Sequence, residues 1–166
     1  MTPSEIELLA DQLRGEDALH RQAAANTLAN LGPSAAGAAA ALVEACGYED
    51  TRESCASLLE NLGPPPMDQL ARLAELVLAG QLDVSYWAAT LLGRAGEAAA
   101  AHVGQLEQSA IDSSRPLAAR ERAVWAIGKI GPAAGEAAAS LRILRDNPTG
   151  PRIGRLAETA LRSLEV

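Results

Sequence analysis

Apolar residues recur along this chain in two alternating registers. Upstream of the glycines at 32, 63, 96 and 131, a large aliphatic residue stands four before (Leu28, Leu59, Leu92, Ile127). An apolar residue stands one before (Leu31, Leu62, Ala95, Ile130) and a small one eight before (Ala24, Cys55, Ala88, Ala123). Steps of four and three residues lie on one face of a helix, and the small residues let a neighbouring helix approach closely. Downstream, a leucine stands ten after each glycine without exception (Leu42, Leu73, Leu106, Leu141), and an apolar residue seven after (Ala39, Leu70, Val103, Ala138). These positions form the stripe of a second helix. The pattern predicts a helix A, a Gly-Pro turn and a helix B, repeated at glycine spacings of 31, 33 and 35 residues.

The turn chemistry fits. A glycine suits a left-handed position just past helix A, and proline suits the first positions of the next segment. Asp17, Asp50 and Asp83 recur at 33-residue steps, where each is expected to cap the coming helix. Thr2-Pro3-Ser4-Glu5 is a capping-box signature. It opens an N-terminal capping helix over 3–14, with Leu13 matching a helix B position. The repeats are expected at 17–47, 50–80, 83–111 and 116–145. Ala157, Leu161 and Leu164 match helix A, giving a terminal helix over 151–165 whose Arg152, Arg155 and Arg162 form a polar cap. The expected architecture is all-α, a right-handed α-α superhelix of about four and a half helix pairs in a single domain.

Composition agrees with this. Alanine and leucine dominate the 166 residues and phenylalanine is absent. The net charge of −7 disfavours nucleic acid. Its distribution is uneven: residues 1–83 carry thirteen acidic and four basic side chains (−9), and residues 84–166 eight and ten (+2). In a solenoid, order along the chain becomes order in space, so this is an end-to-end dipole. No apolar run reaches the ~18 residues of a membrane span and no leader is evident, so a cytoplasmic protein is expected. Cys46 and Cys55 sit in apolar contexts without CxxC or metal spacing, as expected of buried thiols in a reducing compartment.

Arg21-Gln22-Ala23-Ala24-Ala25-Asn26-Thr27-Leu28-Ala29-Asn30-Leu31-Gly32-Pro33 resembles the bacterial HEAT repeat, also called PBS-lyase HEAT-like, and the likeness extends over nearly the whole chain. The resemblance implies a protein-binding scaffold whose B helices line the concave face. Two enzymatic branches share the repeat. The deoxyhypusine hydroxylase-like branch holds di-iron with repeated His-Glu pairs, whereas His20 and His102 are the chain's two histidines and neither precedes a glutamate. The phycobilin-lyase-like branch needs an aromatic, roomy pocket, and the inner helices here are alanine-rich. The third repeat departs from the pattern, with Ser85 in place of the arginine and Glu97 in place of the proline; the second carries Pro64-Pro65-Pro66.

No nucleophile elbow, P-loop or dinucleotide fingerprint is present, so no catalytic, cofactor or metal residue is assigned. Arg21, Arg52 and Arg120, each eleven before a glycine, read as a ladder bonding aspartates and loop carbonyls between repeats. The candidate partner-binding set is Glu44, Asp68, Arg72, Glu75, Gln105, Gln108 and Glu136, off the apolar stripe of the B helices. Its acidic first half favours a basic segment of another protein. Trp125 occupies a position that is polar elsewhere (Asn26, Ser57, Thr90), as either a partner anchor or a residue packed on the terminal helix and Pro148–Pro151. Trp87 is expected at a repeat junction. The alternatives to a scaffold are an accessory or lyase-like subunit acting on a prosthetic group or enzyme, and a purely structural repeat module.

Overall fold

In the computed structural model, which describes residues 1–165, helices follow one another as two parallel rows. The B row contains α1 (Pro3–Arg14), α3 (Ala39–Ala45), α5 (Met67–Val77), α7 (Val103–Ile111) and α9 (Ala138–Asp146). The A row contains α2 (Ala18–Leu31), α4 (Arg52–Asn61), α6 (Leu82–Ala95), α8 (Leu117–Ile130) and α10 (Pro151–Leu164). No strand occurs among the described residues. The chain is an α solenoid, and its core runs as one strip between the rows.

The two registers of the sequence are the two walls of that strip. Leu28, Leu59 and Leu92 are fully buried from the A side, and Leu42, Leu73, Leu106 and Leu141 from the B side. Alanines fill the space between them, among them Ala24, Ala88 and Ala123. Cys46 and Cys55 are free and buried. Burial pushes the Cys55 thiol up to about 12 and raises that of Cys46 as well.

Helix starts follow local chemistry. Thr2 Oγ1 accepts from the Glu5 N–H at 3.3 Å while Glu5 Oε2 accepts from the Thr2 N–H at 2.6 Å, closing the capping box. Asp17 Oδ1 accepts from the Leu19 N–H at 2.8 Å. Asp50 and Asp83, expected to act alike, do not cap. The N-caps there are Thr51 and Gln81, and the two aspartates serve arginines instead.

Three of the four turns share one form. Gly32, Gly96 and Gly131 have φ of +54°, +58° and +74°, which an L side chain rarely adopts. Each opens a seven-residue 3-10 helix (Gly32–Ala38, Gly96–His102, Gly131–Ala137) that leads into the B helix. Gly63 is the exception: it lacks a positive φ, and α5 starts from extended Pro66. Three consecutive prolines hold the chain extended and exclude the 3-10 turn.

The A row is not evenly packed. A Cβ on Gly93 of α6 would lie 3.0 Å from Ala126 Cα of α8, and one on Gly128 of α8 would lie 3.1 Å from Ala160 Cα of α10. The last three A helices therefore touch backbone to backbone. At the same repeat position α2 has Ala29 and α4 has Glu60, and a cleft of about 350 Å³ lined by Asn26, Ser54, Ser57 and Asn61 separates them.

Candidate functional site

The expected arginine ladder is present along the B-to-A links. Arg21 spans Asp50 in a bidentate pair (Nε–Oδ2 3.1 Å, Nη2–Oδ1 3.0 Å) and also donates to the carbonyls of Gly15 and Glu16. Its guanidinium lies 4.4 Å over the Tyr48 ring. The pairing holds the Asp50 carboxyl below the usual carboxylate range. Arg52 repeats the arrangement with Asp83 (3.2 Å) and the Cys46 carbonyl, and Arg120 with the Ala110 carbonyl and Thr149 Oγ1. These arginines join repeat to repeat and are not free for a partner.

Two further arginines repair the irregular units, and the sequence reading missed both. With Ser85 where the ladder needs an arginine, Arg115 reaches back to the carbonyls of Val77, Leu78 and Ala79 at 2.8–3.2 Å. Without the glycine turn, the end of α4 is closed by Arg94, which donates to the carbonyls of Leu59, Glu60 and Leu62. Helix-terminal carbonyls left without partners are costly, which is why a guanidinium fork is drawn to each place.

The B face carries a lateral charge ladder. Glu44 on α3, its side chain 15% exposed, accepts from Arg14 Nε of α1 and from Arg72 Nε of α5, both at 2.7 Å. Arg72 also pairs with Glu75 at 2.6 Å, and these carboxylates hold its charge more firmly than usual. Glu44, Arg72 and Glu75 thus form one cluster across three B helices. Asp68, exposed at the start of α5, lies beside it and borders a small cleft with Ile6, Glu7 and Gln69. Gln105 and Gln108 continue the face on α7, with no side-chain hydrogen bond to any described residue. Glu136, expected on a B helix, falls in the 3-10 turn before α9, where it is exposed.

Trp125 is only partly buried and points along the A row. Its ring lies against Gly93 of α6, where an added Cβ would come 2.5 Å from Cζ3. It therefore packs on the preceding helix, and with Leu156 it borders two clefts of about 190 and 200 Å³ between α8 and α10. Arg122 lies over both the Trp125 and Tyr86 rings (4.9 and 4.3 Å) and donates to the Tyr86 hydroxyl. Lys129 Nζ is 5.7 Å from the Trp125 ring. Trp87 is half-buried, edge-on to Tyr86.

Among the described residues, no group of three or more His, Cys, Asp and Glu side chains gathers as a metal site would, and no helix is long and apolar enough to cross a membrane. The paired helix rows, the shared core strip and the inter-repeat arginines define a helical repeat solenoid. No protein-family profile and no curated protein sequence matches the chain. Solved structures do match. One is a designed armadillo repeat protein in complex with the peptide (KR)4, with a TM-score of 0.61 and 18% identity over 94% of this chain and 80% of that one. Another is an engineered protein with a TM-score of 0.63 and 19% identity, over 97% of this chain and 48% of that one. At such identities the likeness is one of fold.

Proposed function

We propose that the chain is a non-catalytic protein-interaction scaffold of the HEAT-like type, binding a basic segment of another protein on its B-helix face, the concave side in the repeats it resembles. Its repeat units are 17–47, 50–80, 83–111 and 116–145, between a capping helix at 3–14 and a terminal helix at 151–165. One observation carries the reading: the Arg14–Glu44–Arg72–Glu75 ladder fixes carboxylates of successive B helices in register. A rigid charged row of this kind lowers the ordering cost of binding an extended peptide. Asp68 and Glu75 contribute exposed negative charge, Gln105 and Gln108 contribute unpaired amides for a peptide backbone, and Glu136 lies farther along the array, with Trp125 apart from them on the A row. The fold neighbour complexed with alternating lysine and arginine supports a ligand of this chemistry. The free, buried thiols suit a reducing bacterial cytoplasm.

The test is a titration with a dye-labelled peptide of alternating lysine and arginine. The intact chain is expected to bind it with an affinity that falls steeply with salt. Changing Asp68 and Glu75 together to alanine, both exposed and safe for folding, is expected to weaken binding about tenfold, or ~1.4 kcal/mol. Binding indifferent to that double change would place the peptide elsewhere and refute the B-face reading.

A further inference from the structure

Arg122 and Lys129 gather on one aromatic ring without a counter-charge; Arg115 and Arg120 lack one too, but are taken up by carbonyls and by Thr149. Arg14, Arg21, Arg52 and Arg72 each face a carboxylate. Arg94, Arg122 and Lys129 have no carboxylate within 4 Å among the described residues. Arg94 is occupied by the carbonyls at the end of α4, which do not neutralise it. Arg122 lies over Tyr86 and Trp125, and Lys129 stands at the other edge of the same indole.

Beside these cations lie two neighbouring clefts of mixed apolar and polar lining. Trp125 and Leu156 line both clefts between α8 and α10; Arg122 and Arg152 border one end, Lys129, Thr159 and Ser163 the other. Gly128 and Ala160, in close contact, line the second of them. Glu121 is the carboxylate in the lining, and it is already paired with Arg152 at 3.5 Å. The α2–α4 valley, at the corresponding place in the first repeats, is lined by Asn26, Ser54, Ser57 and Asn61, with neither aromatic nor charge.

We propose that this α8–α10 groove is a second docking surface, for an acidic helical segment that lays an aliphatic side chain against Trp125 and Leu156 and sets its carboxylates against Arg122 and Lys129. Charge complementarity selects the occupant. Burial of the aliphatic group on the indole supplies affinity, and the unpartnered cations supply orientation and on-rate. The groove shares no residue with the cluster of Glu44, Arg72 and Glu75, so the two surfaces stand or fall separately.

The probe is a short dye-labelled glutamate peptide carrying two leucines one helical turn apart, with a leucine-free glutamate peptide as control. It is titrated into a Trp87→Phe chain, in which Trp125 is the one tryptophan left to report. Expected are a change in Trp125 emission on binding, a preference of about tenfold or more over the control, and a loss of about tenfold on adding Lys129→Glu, an exposed change that leaves the helix intact. The alternating lysine-arginine peptide should bind the Lys129→Glu variant no more weakly than the parent. No binding, binding without an emission change, equal binding of the leucine-free peptide, or binding indifferent to Lys129→Glu would each overturn the proposal.

Discussion

Gly32 and Gly63 hold equivalent places in neighbouring repeats but answer to different constraints. Gly32 sits at φ +54°, so Gly32→Ala should cost about 1–3 kcal/mol although open space surrounds the position. Gly63 has no positive φ and an added Cβ meets nothing within 4 Å. Gly63→Ala should therefore be neutral or stabilise by about 0.4–1 kcal/mol, by restricting the unfolded chain. Urea unfolding of the two variants measures the difference, and equal effects would mean that the second turn has the form of the first. Asp50 offers a residue-scale test in pH. Its carboxyl is held low by Arg21, so its contribution is full above the unfolded value of about 3.9 and is lost as pH falls through the lower folded value. The melting temperature should drop over that acid range, and Asp50→Asn, already lacking the charge, should flatten the drop. An unchanged acid profile would show that the pair does not link the first two repeats.

Single helices are legible where one force decides. The leucines ten after each glycine are buried because a helix that must cover an apolar strip has no other way to place them, and the offsets show this directly. Leu106→Ala should cost about 2–5 kcal/mol by urea unfolding; a loss under about 1 kcal/mol would mean the B register is misplaced. Where two forces compete, the sequence is silent. Asp50 and Asp83 have the spacing of helix caps, yet a charge-assisted bond to a guanidinium outbids a backbone N–H. Arg115 could not be foreseen at all, because its partners are carbonyls some 36 to 38 residues away. Arg115→Ala leaves the end of α5 without donors and should cost about 1–3 kcal/mol, with Arg115→Lys recovering only part because an ammonium lacks the fork. Full recovery by lysine would reduce the role to charge alone.

At the scale of the whole molecule, the repeat made the solenoid readable and its unevenness did not. Gly93 and Gly128 look like ordinary helix-end glycines in sequence. Their role appears only when Ala126 and Ala160 of the next helices stand against them. The position three before the turn glycine was the available signal: it is glycine in the last two repeats, Ala29 and Glu60 in the first two. Of the candidate positions, Glu44, Asp68, Arg72, Glu75, Gln105 and Gln108 fall on B helices as the periodicity places them and Glu136 does not, and the paired network that ties Glu44, Arg72 and Glu75 together was not readable. That network depends on distances between helices, which no periodicity encodes. The result is a solenoid with a cross-braced B face and a cluster of cations on aromatic rings at the far end of the A row.

The most direct test of the B-face account is amide chemical-shift mapping of the labelled chain during titration with the alternating lysine-arginine peptide. The account predicts the largest shifts around Glu44, Asp68, Arg72, Glu75, Gln105 and Gln108, on α3, α5 and α7. Shifts concentrated on α8 and α10, or spread evenly without saturation, would contradict it.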